Sequence, residues 1–186
     1  MLPVYPLVFA AASTDGAALA NTTTATSILP ASGIAVIPGG ILQVGSIFKI
    51  TLRGRISTLA TSPGTLTLDV RLGSAVISAF GAIALNISAQ TNVTWEAILL
   101  ATIRAVGSGT TANALCTANF VSRAVIGSPA AGAGSAGSIL LPETAPAVGA
   151  GFDSTAAQTV NVFAAWSTAN AANSIQVHQS LIELKI

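Results

Sequence analysis

Hydrophobic and polar residues alternate over long stretches of this chain, which is the period of a β-strand with one buried face. In Phe48–Ile56 the apolar side chains fall on one face, and the other face carries Lys49, Arg53 and Arg55. The segment Thr65–Leu72 repeats the same two-residue period. Both segments are therefore predicted to be strands with a hydrophobic face on a core and a polar face outside.

The residues between these two strands predict how they connect. A Ser-Pro-Gly turn signal at positions 62–64 leads us to expect an antiparallel hairpin. A register with Leu52 opposite Val70 would place Arg53 beside Asp69 on the outer face. Such an exposed pair would help to fix the register and would contribute under about 1 kcal/mol.

Further strands are predicted up to the end of the chain, with turn residues between them. One of them, Asn92–Val106, is apolar on both faces through its middle. Both faces of such a strand are covered. One face lies on the core, and the other lies on a further surface, such as that of a neighbouring subunit. The complete set of these further predicted strands is Ala75–Phe80, Asn92–Val106, Ala114–Ile126, Thr159–Ser167 and Ser174–Ile186.

Two segments lack this regular alternation. Residues 1–45 hold short apolar pieces separated by Thr, Gly and Pro, and they predict an N-terminal arm or edge strands. Residues 127–151 are rich in Gly, Ala, Ser and Pro, and they predict a long loop. With residues 46–186 as the main domain, the pattern predicts an all-β fold. The expected architecture is an antiparallel β-sandwich of jelly-roll type, with an extended N-terminal arm and almost no helix.

The amino-acid composition indicates that this chain is part of an assembly and not a free domain. Lys and Arg together number 7 and Asp and Glu number 6, so 7% of the residues are charged. A soluble domain usually carries about 25%. Because 52% of the residues are hydrophobic, a free monomer with a net charge near zero would be poorly soluble. Much of its surface is therefore expected to be covered by other subunits.

Composition also argues against several classes of protein. The longest strongly apolar run, residues 97–101, is far shorter than the ~20 residues of a membrane-spanning helix. The first residues lack the basic region of a secretory signal, so synthesis in the cytosol is expected. The single Cys116 excludes an internal disulfide framework and is interpreted as a small buried hydrophobe. A net charge of +1 with scattered basic residues gives no electrostatic footprint for nucleic acid.

Candidate chemistry is sparse. The only histidine, His178, lies in the last predicted strand and is interpreted as a polar face residue. Residues Gly132–Gly137 match the dinucleotide fingerprint literally, but no helix is predicted to follow them. The carboxylates show no paired spacing, so no catalytic, cofactor-binding or metal site is predicted. These carboxylates are Asp15, Asp69, Glu96, Glu143, Asp153 and Glu183.

A series of short motifs runs through most of the chain from about residue 27 onward. The motifs are Ser27–Pro30, Ile37–Gly40, Val44–Ser46, Leu52–Thr58, Gly64–Gly73, Phe152–Val160, Trp166–Ser167 and Ala172–Ile175. Their order resembles small virion structural proteins of tailed bacteriophages. Members of this group look like head decoration (cement) proteins or minor tail proteins.

The resemblance implies a role on the capsid surface of the virion. A cement protein of this kind would bind the outer face of the major capsid protein at subunit junctions and stabilise them, with no catalytic residue and no cofactor. By the same resemblance it would self-associate as a homotrimer, and we expect the arm to cross a subunit or capsid boundary. Contacts are expected from the arm, the 127–151 loop and the basic outer face. The candidate contact residues are Val4, Tyr5, Phe9, Lys49, Arg53, Arg55, Ile139, Leu140 and Leu141.

Two other functions stay open at this point. A tail or fibre module that binds host glycan would use Trp95 or Trp166 as a stacking platform, and it loses this feature if both are buried. A glycan-cleaving β-sandwich enzyme would need two carboxylates roughly 5–10 Å apart in a cleft.

Overall fold

The computed structural model describes residues 7–124 and 137–186, and within them nearly all regular structure is β-strand. A single 3-10 turn at Ala31–Gly33 is the helical element of the described residues. The strands are β1 (Leu7–Ala11), β2 (Leu19–Ala20), β3 (Thr26–Ser27), β4 (Ala35–Ile37), β5 (Ile47–Thr58), β6 (Thr65–Leu72), β7 (Ala75–Val76), β8 (Ala82–Ala84), β9 (Gln90–Ala105), β10 (Asn113–Ser122), β11 (Ser138–Leu141), β12 (Gln158–Trp166) and β13 (Ser174–Lys185).

The strands form two antiparallel sheets that face each other across one core. The larger sheet has the order β1-β13-β5-β9-β10-β11, with β2 paired to β13. The smaller sheet has the order β3-β12-β6-β7, with β4 on β12 and β8 on β6. The predicted all-β antiparallel sandwich is therefore confirmed. The first two long strands, β5 and β6, pair with the last two, β13 and β12, which is the returning connection of a Greek key.

The predicted hairpin is wrong, although both of its strands exist. Strand β5 pairs with β13 and β9 in the larger sheet, whereas β6 belongs to the smaller sheet. Leu52 is therefore not opposite Val70, and Asp69 lies opposite Phe163 rather than Arg53. Alternation shows which face of a strand is buried, but either sheet of a sandwich offers a strand the same buried face. The connection at residues 59–64 crosses from one sheet to the other.

Two irregular segments contribute more strands than their composition suggests. Strands β1 and β2 add to β13, while β3 and β4 add to β12, so residues 7–45 supply edge strands to both sheets of their own chain. The predicted 127–151 loop needs correction as well, because Ser138–Leu141 pairs with β10. Residues 127–136 lie outside the described part. The strand predicted at Ala75–Phe80 is reduced to the two residues of β7.

Aromatic rings occupy the middle of the core. Trp95 stacks on Phe120 with ring centroids 5.4 Å apart and an interplanar angle of 6°. The indole N–H of Trp95 donates to the carbonyl oxygens of Arg55 (3.1 Å) and Gln176 (3.3 Å). Gly54 lies directly opposite Trp95, and a Cβ there would overlap the carbonyl oxygen of Gln176. A residue without a side chain is therefore required on β5 at this level of the core.

Candidate functional site

The outer face of the larger sheet holds four of the nine residues to which sequence reasoning assigned contacts. Along β5 the side chains of Lys49, Arg53 and Arg55 point away from the core, as their alternation predicts. Lys49 Nζ lies 3.6 Å from Glu183 of β13, and Arg53 forms an ion pair with Glu96 of β9.

Arg55 is also engaged on this face, because its Nε donates to Gln176 Oε1 at 2.9 Å. The three cations of β5 therefore each have a partner on a neighbouring strand. Because two of these partners are carboxylates, the charges of Lys49 and Arg53 are compensated within this face.

The same face becomes apolar towards its β11 edge. Leu100 of β9 is 42% exposed and Leu140 of β11 is 72% exposed. Between them lies a groove of about 440 Å³ without a charged lining residue, and we call it the apolar groove. It is lined by Ile98, Leu100, Thr117, Ala118, Asn119, Leu140, Leu141, Pro142, Thr144 and Pro146.

The local sequence of β9 and β11 explains why this groove exists. Even-numbered residues of β9 point outward, and two of them, Ile98 and Leu100, are aliphatic rather than polar. The expectation that this strand is apolar on both faces is therefore confirmed for its middle. Pro142 ends β11 and begins the segment that closes one side of the groove. The apolar pattern of β9 was visible in the sequence, but the contribution of Pro142 and Pro146 was not.

The three candidate contact residues of β11 do not all point to the same face of the sheet. Leu140 points outward, whereas Ile139 and Leu141 are 5% and 2% exposed and belong to the core. The expectation that all three are surface contacts is therefore wrong for Ile139 and Leu141, because successive side chains of a strand point to opposite faces. In the N-terminal segment, Phe9 is partly buried against the core. Val4 and Tyr5 lie outside the described residues.

His178 occupies a β-bulge and not a regular strand position. Val177 lies opposite Gly54 and Gln179 lies opposite Arg53, so His178 is the additional residue between them. Its Nδ1 is 2.9 Å from Asp15 Oδ2, which lies on the connection between β1 and β2. Next to this pair, the N–H of Gly16 donates to the carbonyl oxygen of Val177 at 2.8 Å. The arrangement fastens the N-terminal connection to the last strand.

The carboxylates of the described residues are engaged at separate places. Asp69 pairs with Arg71 at 3.1 Å, Glu96 with Arg53, and Glu183 with Lys49. On β5, Lys49 and Arg53 are four residues apart, so the carboxylates of Glu96 and Glu183 are held roughly 13 Å apart along the strands. This separation exceeds the spacing that a pair of glycosidase carboxylates uses.

Asp153 is engaged by hydrogen bonds instead of by a cation. Its Oδ1 accepts from the backbone N–H of Thr155 at 2.8 Å and from the hydroxyl of Thr155 at 2.6 Å. The hydroxyl bond, together with backbone N–H groups that include that of Gly109, lowers the pKa of the Asp153 carboxyl. The residue therefore organises a loop.

Cys116 is buried, as its sequence context predicts. Burial raises the pKa of its thiol to about 12, and Sγ donates to the carbonyl oxygen of Ile77 at 3.2 Å. A thiol in this state is protonated at neutral pH and is a poor nucleophile.

Both tryptophans are also in the core, at 1% exposure each. Phe163 lies on the outer face of the smaller sheet, with the guanidinium carbon of Arg71 4.0 Å from its ring centroid. Trp95 and Trp166, the two side chains considered as sugar platforms, are therefore enclosed by the protein itself.

Among residues 7–124 and 137–186, no group of three or more His, Cys, Asp or Glu side chains is placed to hold a metal ion. The same residues contain no helix with the length and hydrophobicity needed to cross a membrane. A strand, not a helix, follows Gly137, so the glycine-rich match is not a dinucleotide site.

Comparison with solved structures gives a distant likeness in fold. No protein-family model and no curated protein matches the sequence. A solved structure of the CBM2 module of the evolved Dit protein from Lactobacillus casei BL23 phage J-1 is similar over 82% of this chain and 68% of that chain. The sequence identity is 11% and the TM-score is 0.34. At this level the likeness relates two β-folds and carries no argument about binding.

Proposed function

We propose that this protein is a non-enzymatic structural component of a bacteriophage virion that binds other proteins through the outer face of its larger sheet. More specifically, it is a decoration protein on the capsid surface, where it stabilises junctions of the major capsid protein. The observation that carries the proposal is the apolar groove, in which Leu140 is 72% exposed and no lining residue is charged.

Covering this surface with a partner protein is favourable in free energy. Burying a leucine side chain fully contributes about 1.5–3 kcal/mol relative to leaving it in water. The groove adds Ile98 and Leu100 to the same surface, and Thr117 and Asn119 can satisfy main-chain groups of a partner. Because no charged side chain lines the groove, docking there would remove no charge of this chain from water.

The polar face beside the groove supports a role in recognition. The Lys49–Glu183 and Arg53–Glu96 pairs hold four charged side chains in set positions on it. Hydrogen bonds from a partner to these pairs would contribute specificity more than affinity.

The contacts of the titratable groups support a non-enzymatic role. His178 is fastened to Asp15, and Cys116 is a buried thiol with a raised pKa. Glu96 and Glu183 are neutralised by different cations of β5. The glycan-binding alternative loses its proposed stacking platform, since Trp95 and Trp166 are buried.

Quantitative mass spectrometry of purified phage particles, with heads and tails separated beforehand, tests the location. Recovery with heads at a copy number near that of the major capsid protein is the expected result. Recovery with tails at a few copies would replace the capsid role by a tail or fibre role. Absence from both fractions would overturn the virion assignment.

A variant pair tests the surface itself. Leu100→Asp places a charge in the apolar groove, and Val36→Asp places one on a more exposed strand residue of the smaller sheet, 62% exposed. Added to particles that lack this protein, the Leu100→Asp chain is expected to lose binding, while the Val36→Asp chain retains it. Equal binding by both variants would contradict a role for the groove.

A further inference from the structure

We propose that β11 pairs with β11 of a second copy of this chain, so that the two larger sheets join across a two-fold axis. This inference concerns self-association and does not depend on the capsid role. It rests on the hydrogen-bonding directions of β11, on the composition of that strand and on the register that it permits.

The ladder between β10 and β11 shows where the main-chain groups of β11 point. Ser122 N–H donates to the Gly137 carbonyl at 2.9 Å, and the same register places Phe120 opposite Ile139. In an antiparallel ladder every second residue bonds to a given neighbour. The N–H and C=O groups of Ser138 and Leu140 are therefore directed away from β10, towards the edge of the sheet.

Among the described residues, β10 is the strand with which β11 pairs. Edge strands of natural sheets are usually guarded by charged side chains, above all Lys, or by bulges. The sequence of β11 is Ser-Ile-Leu-Leu, without a charge, and its pairing with β10 is regular. A second copy would therefore meet no like charge on this strand.

Two-fold symmetry restricts the register strongly. Antiparallel pairing that uses every outward-directed group of β11 sets Ser138 opposite the second copy's Leu140, with Ile139 on the axis. Each of these two residue pairs forms two N–H···O bonds, so four main-chain bonds connect the copies. Shifting the centre to Leu140 would set Ser138 opposite Pro142, which has no N–H to donate.

The same register also matches side chains. Leu140 would lie beside the second copy's Ser138 on the outer face, with the two Leu140 side chains in diagonal positions about 7–8 Å apart. The exposed surface of Leu140 would then be shared between two adjoining grooves. A contact of this type is isologous and closes as a dimer, unlike the three-fold contact of a trimer.

The mass of the full chain in solution, measured by analytical ultracentrifugation over a range of concentrations, is the first test. A monomer–dimer equilibrium or a stable dimer is expected. A monomer at all concentrations, or a trimer without a dimer, would overturn the inference.

Two substitutions of Leu140 test whether the β11 edge forms the interface between the copies. Leu140→Pro removes an N–H that points to the second copy and is not used by β10, so β11 keeps its intramolecular pairing. Leu140→Ala retains the N–H and loses only side-chain area. The proline variant is expected to weaken dimerisation by at least about tenfold relative to the alanine variant. An equally strong dimer from both variants would place the interface elsewhere.

Cross-linking provides a measurement that does not need a weakened dimer. In a Cys116→Ala background, Ile139→Cys places one thiol on the two-fold axis, at a position without cross-strand hydrogen bonds. Such pairs have Cα atoms close to the spacing that a disulfide requires. Mild oxidation should give a covalent dimer, and Val36→Cys in the same background should not. A folded Ile139→Cys chain that forms no covalent dimer would contradict the register.

Discussion

The side chains of Asp15 and His178 meet at 2.9 Å, although they belong to the first connection and the last strand of the chain. The contact exists because a β-bulge inserts His178 between the residues opposite Gly54 and Arg53. A bulge redirects a side chain that regular pairing would leave on the sheet face. The N-terminal connection is held to the larger sheet at this point.

The interaction between these two side chains should contribute little to the stability of the fold. The side chains of His178 and Asp15 are 35% and 58% exposed, so solvent screens their attraction. A double-mutant cycle with Asp15→Ala and His178→Ala is expected to give a coupling free energy below about 1 kcal/mol in urea unfolding. A coupling of several kcal/mol would mean that the pair is a major anchor of the fold.

Gly54→Ala should destabilise the protein strongly. A Cβ at this position would overlap the carbonyl oxygen of Gln176 and crowd the indole nitrogen of Trp95. Overpacking of this kind costs about 1–3 kcal/mol, and a clash with backbone lies at the upper end. Thr51→Ala, at an outward position of the same strand, is the control and should change the unfolding free energy far less. Similar urea midpoints for both variants would contradict the tight approach of β5 and β13.

The Cys116 thiol should be protected in the native protein. Because burial raises its pKa to about 12, it should react with a thiol reagent only on unfolding. The matched control is Ser108→Cys in a Cys116→Ala background, which places a thiol in an exposed turn and should react at once. Rapid labelling of native Cys116 would show that this part of the core opens readily.

The same thiol should make stability depend on alkaline pH. Its folded pKa lies above the ordinary value of 9.0, so the folded state holds the proton more tightly than the unfolded state. The contribution of the thiol to the free energy of unfolding is complete below pH 9.0. It is lost as the pH rises towards about 12, by up to ~1.4 kcal/mol per pH unit. The Cys116→Ala chain should show a flatter alkaline profile of unfolding free energy, and parallel profiles would refute this.

Asp153 should act in the opposite direction at acidic pH. Hydrogen bonds from the Thr155 hydroxyl and from backbone N–H groups lower the pKa of its carboxyl, so its contribution is present above the ordinary pKa. That contribution is lost as the pH falls through the lowered value. The melting temperature of Asp153→Asn should therefore differ from that of the parent chain at neutral pH and approach it in acid. A constant difference would mean that the carboxylate charge is not involved.

Much of the candidate site could be predicted from local pattern. The alternation along Phe48–Ile56 placed Lys49, Arg53 and Arg55 outside, and the apolar outer positions of β9 indicated a second covered face. The ion-pair partners could not be obtained in this way. Glu96 and Glu183 come from strands that are distant in sequence, and only the sheet order brings them beside β5.

By itself, the sequence determined that this chain is an all-β sandwich with few charges and which faces of its long strands are buried. These properties follow from side-chain chemistry and from the two-residue period of a strand, both of which are local. The tertiary structure decided which strands pair, that Trp95 and Trp166 are enclosed, and that Ile139 and Leu141 face inward while Leu140 faces outward. Pairing depends on contacts between distant segments, and in a two-sheet sandwich the same alternating strand fits either sheet.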